Sequence, residues 1–79
     1  MIDETLIKQF ASQYSLLPQQ VLTQLETNFR NLRNKDNVRG LIEGYAHSRE
    51  IIANNGSNQN ALSTIGSIMA FLSRKYLDL

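Results

Sequence analysis

The sequence predicts an all-α protein, an antiparallel up-down four-helix bundle that takes in residues 1–79 as one domain. Three observations lead there. Apolar side chains recur at helical spacing in four separate segments. The links between those segments are short, which makes successive helices antiparallel neighbours. The punctuation between them, namely Pro18, Asn34-Lys35-Asp36-Asn37 and Asn54-Asn55-Gly56, is of the kind that stops one helix and starts the next.

Asp3 is placed to cap a first helix with Leu6, Ile7, Phe10, Ala11 and Tyr14 on one face. Glu4 and Lys8 make a favourable i,i+4 pair outside it. The helix must end before Pro18, whose ring disfavours helical geometry at Leu17, and Leu16 and Leu17 fill a short apolar corner. Pro18 suits the first position of a second helix, where its missing N–H costs nothing. That helix carries the narrow stripe Val21, Leu22, Leu25, Phe29 and Leu32, with Glu26 and Arg30 as an exposed pair.

After a turn at 34–37, with Asn34 or Asp36 as cap, a third helix is expected from about Val38 to Ala53. Val38, Leu41, Tyr45 and Ile52 lie near the middle of its apolar face, with Ile42 and Ile51 at the edges. Gly40 and Gly44 each cost about 1 kcal/mol relative to alanine in a helix. Close approach of a neighbouring helix is the expected compensation. Arg49, on the flank, packs its stem and extends its guanidinium to water. Gly56 can take the left-handed conformation that closes the helix.

Ser57, Asn58 or Asn60 can cap the fourth helix. It has the most regular stripe of all: Ala61, Leu62, Ile65, Ile68, Met69, Leu72 and Tyr76 fall within an arc of about 120°. Phe71 lies off that arc, among Thr64, Ser67, Arg74 and Lys75.

The totals narrow the function. The chain has 79 residues, room for one small core but not for a substrate cleft with its catalytic apparatus. There is no cysteine, hence no disulfide and no thiolate metal site. The start MIDETL is acidic and polar, unlike a secretory signal, and no apolar run approaches a membrane span. The expectation is a soluble, cytoplasmic protein. His47 stands alone, without a partner at ligand spacing. The serines lack a nucleophile turn and the glycines do not form a phosphate loop. No catalytic residue, metal site, cofactor or small-molecule substrate is expected, and the chain reads as a binding protein and not an enzyme.

Two clusters are candidates for that binding. The first is the carboxyl end: Phe71, Arg74, Lys75, Tyr76, Leu77 and Leu79. Aromatic and arginine side chains together, off the core stripe, are typical of an interface hot spot. The competing reading packs Phe71 under the tail or against the first helix, and Tyr76 also belongs to the core stripe. The second cluster is the basic turn Arg30, Arg33, Lys35 and Arg39, either a solvated helix end or a contact for an acidic partner. With a net charge of +1 and no interleaved aromatics, nucleic acid is not the expected partner.

Phe29-Arg30-Asn31-Leu32-Arg33-Asn34, then Val38-x-x-Leu41-Ile42-x-x-Tyr45, Asn55-Gly56-Ser57, Leu62-x-x-Ile65 and Arg74-Lys75-Tyr76 follow one another in a familiar order. From Val21 to Leu79 this resembles the pediocin-like bacteriocin immunity proteins, small cytoplasmic four-helix bundles. The likeness rests on helix lengths, spacing and the aromatic-basic end, and the first helix is shorter than is usual there. The resemblance implies a protein that guards its own cell from an antimicrobial peptide. It would recognise the bacteriocin-bound sugar-phosphotransferase permease at the inner face of the membrane, where peripheral membrane contact is compatible with the role. It also implies that the carboxyl-terminal half sets which bacteriocin is resisted. The rival readings are a small helical adapter or regulator that binds a soluble protein or nucleic acid through the basic turn, and self-association through Phe71.

Overall fold

The computed structural model describes residues 2–56 and 58–79. Four helices make up these residues: α1 (Glu4–Ala11), α2 (Gln19–Asn28), α3 (Lys35–Asn54) and α4 (Gln59–Asp78). A 3-10 turn, Tyr14–Leu16, links α1 to α2. The starts of α1 and α3 meet the end of α4, since Glu4 and Arg39 both reach the Tyr76 hydroxyl. Glu26, near the end of α2, reaches Lys75 at the same end of the molecule. The order is therefore up-down-up-down, and the fold is an all-α four-helix bundle.

The caps follow local side-chain chemistry. Asp3 accepts from the Leu6 amide at 2.9 Å, Asn34 from Asn37 at 3.0 Å and Asn58 from Ala61 at 3.1 Å. Each satisfies a donor that the first helical turn leaves unpaired. Asn58 thus takes the role shared in prospect with Asn60, which lies inside the helix; Ser57 falls outside the described residues. Gly56, at φ 90°, follows the end of α3 in the left-handed conformation. Pro18 stands one place earlier than expected: it is the extended residue before α2, which begins at Gln19.

Three further helix limits differ from the sequence reading: α1 ends at Ala11, and Tyr14, expected on its face, lies in the 3-10 turn. α3 starts at Lys35, because Asn34 is the cap and the turn is shorter than its composition suggests. α2 stops at Asn28 and does not continue through Leu32. Phe29 leaves helical geometry, and its ring sits 6.3 Å from Phe71 and 6.2 Å, edge-on, from Tyr45. Asn31 then takes φ 63°, a left-handed conformation that asparagine tolerates better than most residues. Aromatic packing has overruled the helical period.

The backbones of α1, α2, α3 and the 3-10 turn all pack on α4, those of α3 and α1 most extensively. A helix surrounded in this way is buried on more than one face. Met69, Ala70, Phe71, Leu72 and Ser73 are buried in succession, with Ile7, Val38 and Ile42 around them. α3 is also rolled relative to its expected face: Ile42 is fully buried, whereas Leu41 is exposed.

Gly40 and Gly44 receive no close neighbour. A Cβ on either would meet nothing within 4 Å among the described residues, so the expected compensation by helix approach is not there. Arg49 places its guanidinium 4.9 Å from the Phe10 ring centre, stem and head both used against an apolar surface.

Candidate functional site

The carboxyl-terminal cluster divides into an inner and an outer part. Phe71 is fully buried, between Tyr14 at 6.4 Å and Phe29 at 6.3 Å. It therefore offers no surface to a partner, and the hot-spot reading of its ring does not hold. A single apolar stripe implies one buried face, and α4 has several. The run Ile68-Met69-Ala70-Phe71-Leu72 was the available signal, since five consecutive apolar residues reach round a whole helix.

Tyr76 is also core, 5% exposed. Its hydroxyl receives a hydrogen bond from Arg39 at 2.8 Å and donates to Glu4 at 3.3 Å. Arg39 further donates to the Ile2 carbonyl, and the Ile2 amide donates to Glu43 at 3.1 Å. Glu43 lies 3.9 Å from the Arg39 guanidinium. This clasp fastens the amino terminus to α3 and α4. It takes Arg39 from the basic turn and Tyr76 from the carboxyl end, two candidates brought together and used internally. Glu4 serves the clasp, and its expected partner Lys8 is not needed for it.

Lys35 is tied to the same ring. As the first residue of α3 it stands at the positive end of the helix dipole, where a cation is disfavoured. Its ammonium lies 4.7 Å from the Tyr76 ring centre, which supplies an electrostatic offset.

The outer part is Arg74, Lys75, Leu77 and Leu79. Arg74 pairs with Asp78 at 3.3 Å and lies 5.6 Å from the Tyr14 ring, its side chain 52% exposed. Lys75 reaches Glu26 at 3.4 Å, so Glu26 turns to α4 and not to Arg30. Leu77 and Leu79 are exposed.

Lys75 lines a shallow cleft of about 410 Å³ together with Glu26, Phe29, Arg30, Asn31, Leu32 and Arg33. Members of both predicted clusters, Arg30 and Arg33 from one and Lys75 from the other, meet there, and Glu26, Phe29, Asn31 and Leu32 are the additions. Arg30 and Arg33 are exposed, and no carboxylate among the described residues pairs with either. The left-handed Asn31 between them turns the chain so that both sit on the rim. Glu26 was legible only as half of a local i,i+4 pair; its true partner lies 49 positions along the chain and no local pattern reveals it.

Such a surface can hold an anionic group between guanidiniums. Among the described residues there is no group of three or more His, Asp or Glu side chains that could hold a metal ion. His47 is exposed. No helix among them is long and apolar enough to cross a membrane. Comparison with known proteins gives no match to a family model, to a curated protein or to a solved structure.

Proposed function

We propose that this chain is a non-catalytic binding protein that meets an acidic partner through the cationic end of its bundle. The observation that carries the proposal is the pair Arg30 and Arg33, exposed and without carboxylate partners beside Lys75. Arg39, Arg49 and Arg74 are engaged by Tyr76, Phe10 and Asp78, whereas the Arg30 and Arg33 guanidiniums are available for an external carboxylate or phosphate.

Within that class, the proposal is a cytoplasmic immunity protein of the pediocin-like kind, acting on a bacteriocin-bound sugar-phosphotransferase permease. This rests on the resemblance and agrees with a contact surface that includes the last turn of α4. The surface differs from the one the sequence suggests: Phe71 and Tyr76 support it from within, and Arg30, Arg33, Arg74, Lys75, Leu77 and Leu79 face outward.

Expression in a sensitive strain tests the proposal. The wild-type chain is expected to protect against one pediocin-like bacteriocin, and Arg30→Ala/Arg33→Ala to lose protection while folded. Absence of protection against every such peptide overturns the immunity reading. The adapter or nucleic-acid alternative would show itself as duplex-DNA binding that weakens steeply with salt. With Lys35 and Arg39 engaged at Tyr76, too few free cations remain at the turn to favour it.

A further inference from the structure

A second face of the bundle, which meets the cationic cleft at Phe29, has a different chemistry. Gln9 to Leu25 contains no charged residue, and neither does Ile51 to Ser73. The fold lays these two tracts side by side, the second half of α1, the 3-10 turn and α2 against the first half of α4. Two adjoining depressions result. The larger, about 790 Å³, runs between α2 and α4; the smaller, about 260 Å³, lies between α4 and the 3-10 turn. Ser63 and Ser67, one helical turn apart, line both and form the ridge between them. No charged side chain lines either one.

Leu16 stands on the rim of the smaller depression and is 72% exposed, well above the other exposed large apolar side chains. A protruding leucine thus sits beside a groove whose floor includes Val21, Leu25 and Ile68. Knob and hole share one face, and that is the arrangement a two-fold pair requires, because each copy then presents both halves of the contact.

We infer that this uncharged face is the interface of a homodimer, in which Leu16 of each copy enters the groove between α2 and α4 of the other. The polar walls favour a second copy as the occupant. Gln20, Gln24 and Asn28 on one side and Ser63, Thr64 and Ser67 on the other carry both donors and acceptors. Such side chains can pair with copies of themselves, whereas a charged wall would repel its own image. The cores of protein interfaces are likewise depleted of charge. The groove and the cationic cleft share Phe29, but Arg30, Arg33 and Lys75 line only the cleft and stay outside the contact.

Sedimentation equilibrium of the full chain from micromolar to millimolar concentration tests the inference. The expected result is a monomer–dimer equilibrium that changes little between low and high salt, since no ion pair is made. Leu16→Asp removes a buried leucine from two equivalent sites, each worth about tenfold or more, and should weaken dimerisation at least about a hundredfold. Thr64→Lys, at an exposed helical position that tolerates a charge in the monomer, should also abolish the dimer with the circular dichroism unchanged. Arg30→Ala/Arg33→Ala should leave dimerisation as it was, which separates this interface from the proposed partner site. A monomer at every concentration overturns the inference. So does a dimer indifferent to both Leu16→Asp and Thr64→Lys, or one that dissociates in salt.

Discussion

The two halves of α4 have opposite surroundings. From Met69 to Ser73 every residue is buried, with Phe71 packed between Tyr14 and Phe29. From Gln59 to Thr64 none is buried, and α2 stands off to leave an open groove. The enclosed half spends its side chains on stability and makes the nearby surface rigid. The open half is where unspent polar and apolar groups remain. In a domain this small a residue rarely serves both purposes, and Phe71, fully buried, serves only the first.

The largest expected effect breaks the enclosed half. Phe71→Ala removes a fully buried ring and should cost about 3–5 kcal/mol, measured by urea unfolding. That is much of the roughly 4–12 kcal/mol available to a chain of this size, so lost function in this variant would report unfolding. By contrast, Leu62→Ala in the open half, only half-buried, should cost no more than about 1–2 kcal/mol.

The clasp comes next. Arg39→Ala leaves the Ile2 carbonyl, Glu43 and the Tyr76 hydroxyl without their donor or partner, at a cost of about 1–3 kcal/mol. Hydrogen exchange of the Ile7 amide, in the helix held by the clasp, should accelerate by more than that of Asn58–Leu62.

Two substitutions should stabilise. Gly44→Ala adds a Cβ into open space at a helix-interior position and should gain up to about 1 kcal/mol. Ser73 is fully buried and its hydroxyl has no hydrogen-bond partner among the described residues. Ser73→Ala removes that unpaired group and should be neutral or favourable by about 1 kcal/mol, read from the urea midpoint. The smallest effect on stability belongs to Arg30→Ala/Arg33→Ala, within about 0.5 kcal/mol of wild type. A larger loss would mean that these guanidiniums serve the fold, and the cationic cleft would lose its claim to a partner.

The sequence by itself determined the four helices, their order and several of their caps. Those features rest on interactions within a few residues: Asp3 with Leu6, Asn34 with Asn37, Asn58 with Ala61 and the left-handed Gly56. It also marked the arginines and lysines that end up on the cationic end. The tertiary structure alone decided which of them are free. It buried Phe71 in a helix with neighbours on several sides, ended α2 early to stack Phe29, and joined Arg39 to Tyr76 and Glu26 to Lys75. A helical period measures one face of one helix, whereas burial depends on how many other helices arrive, and that number is fixed only when the chain has packed.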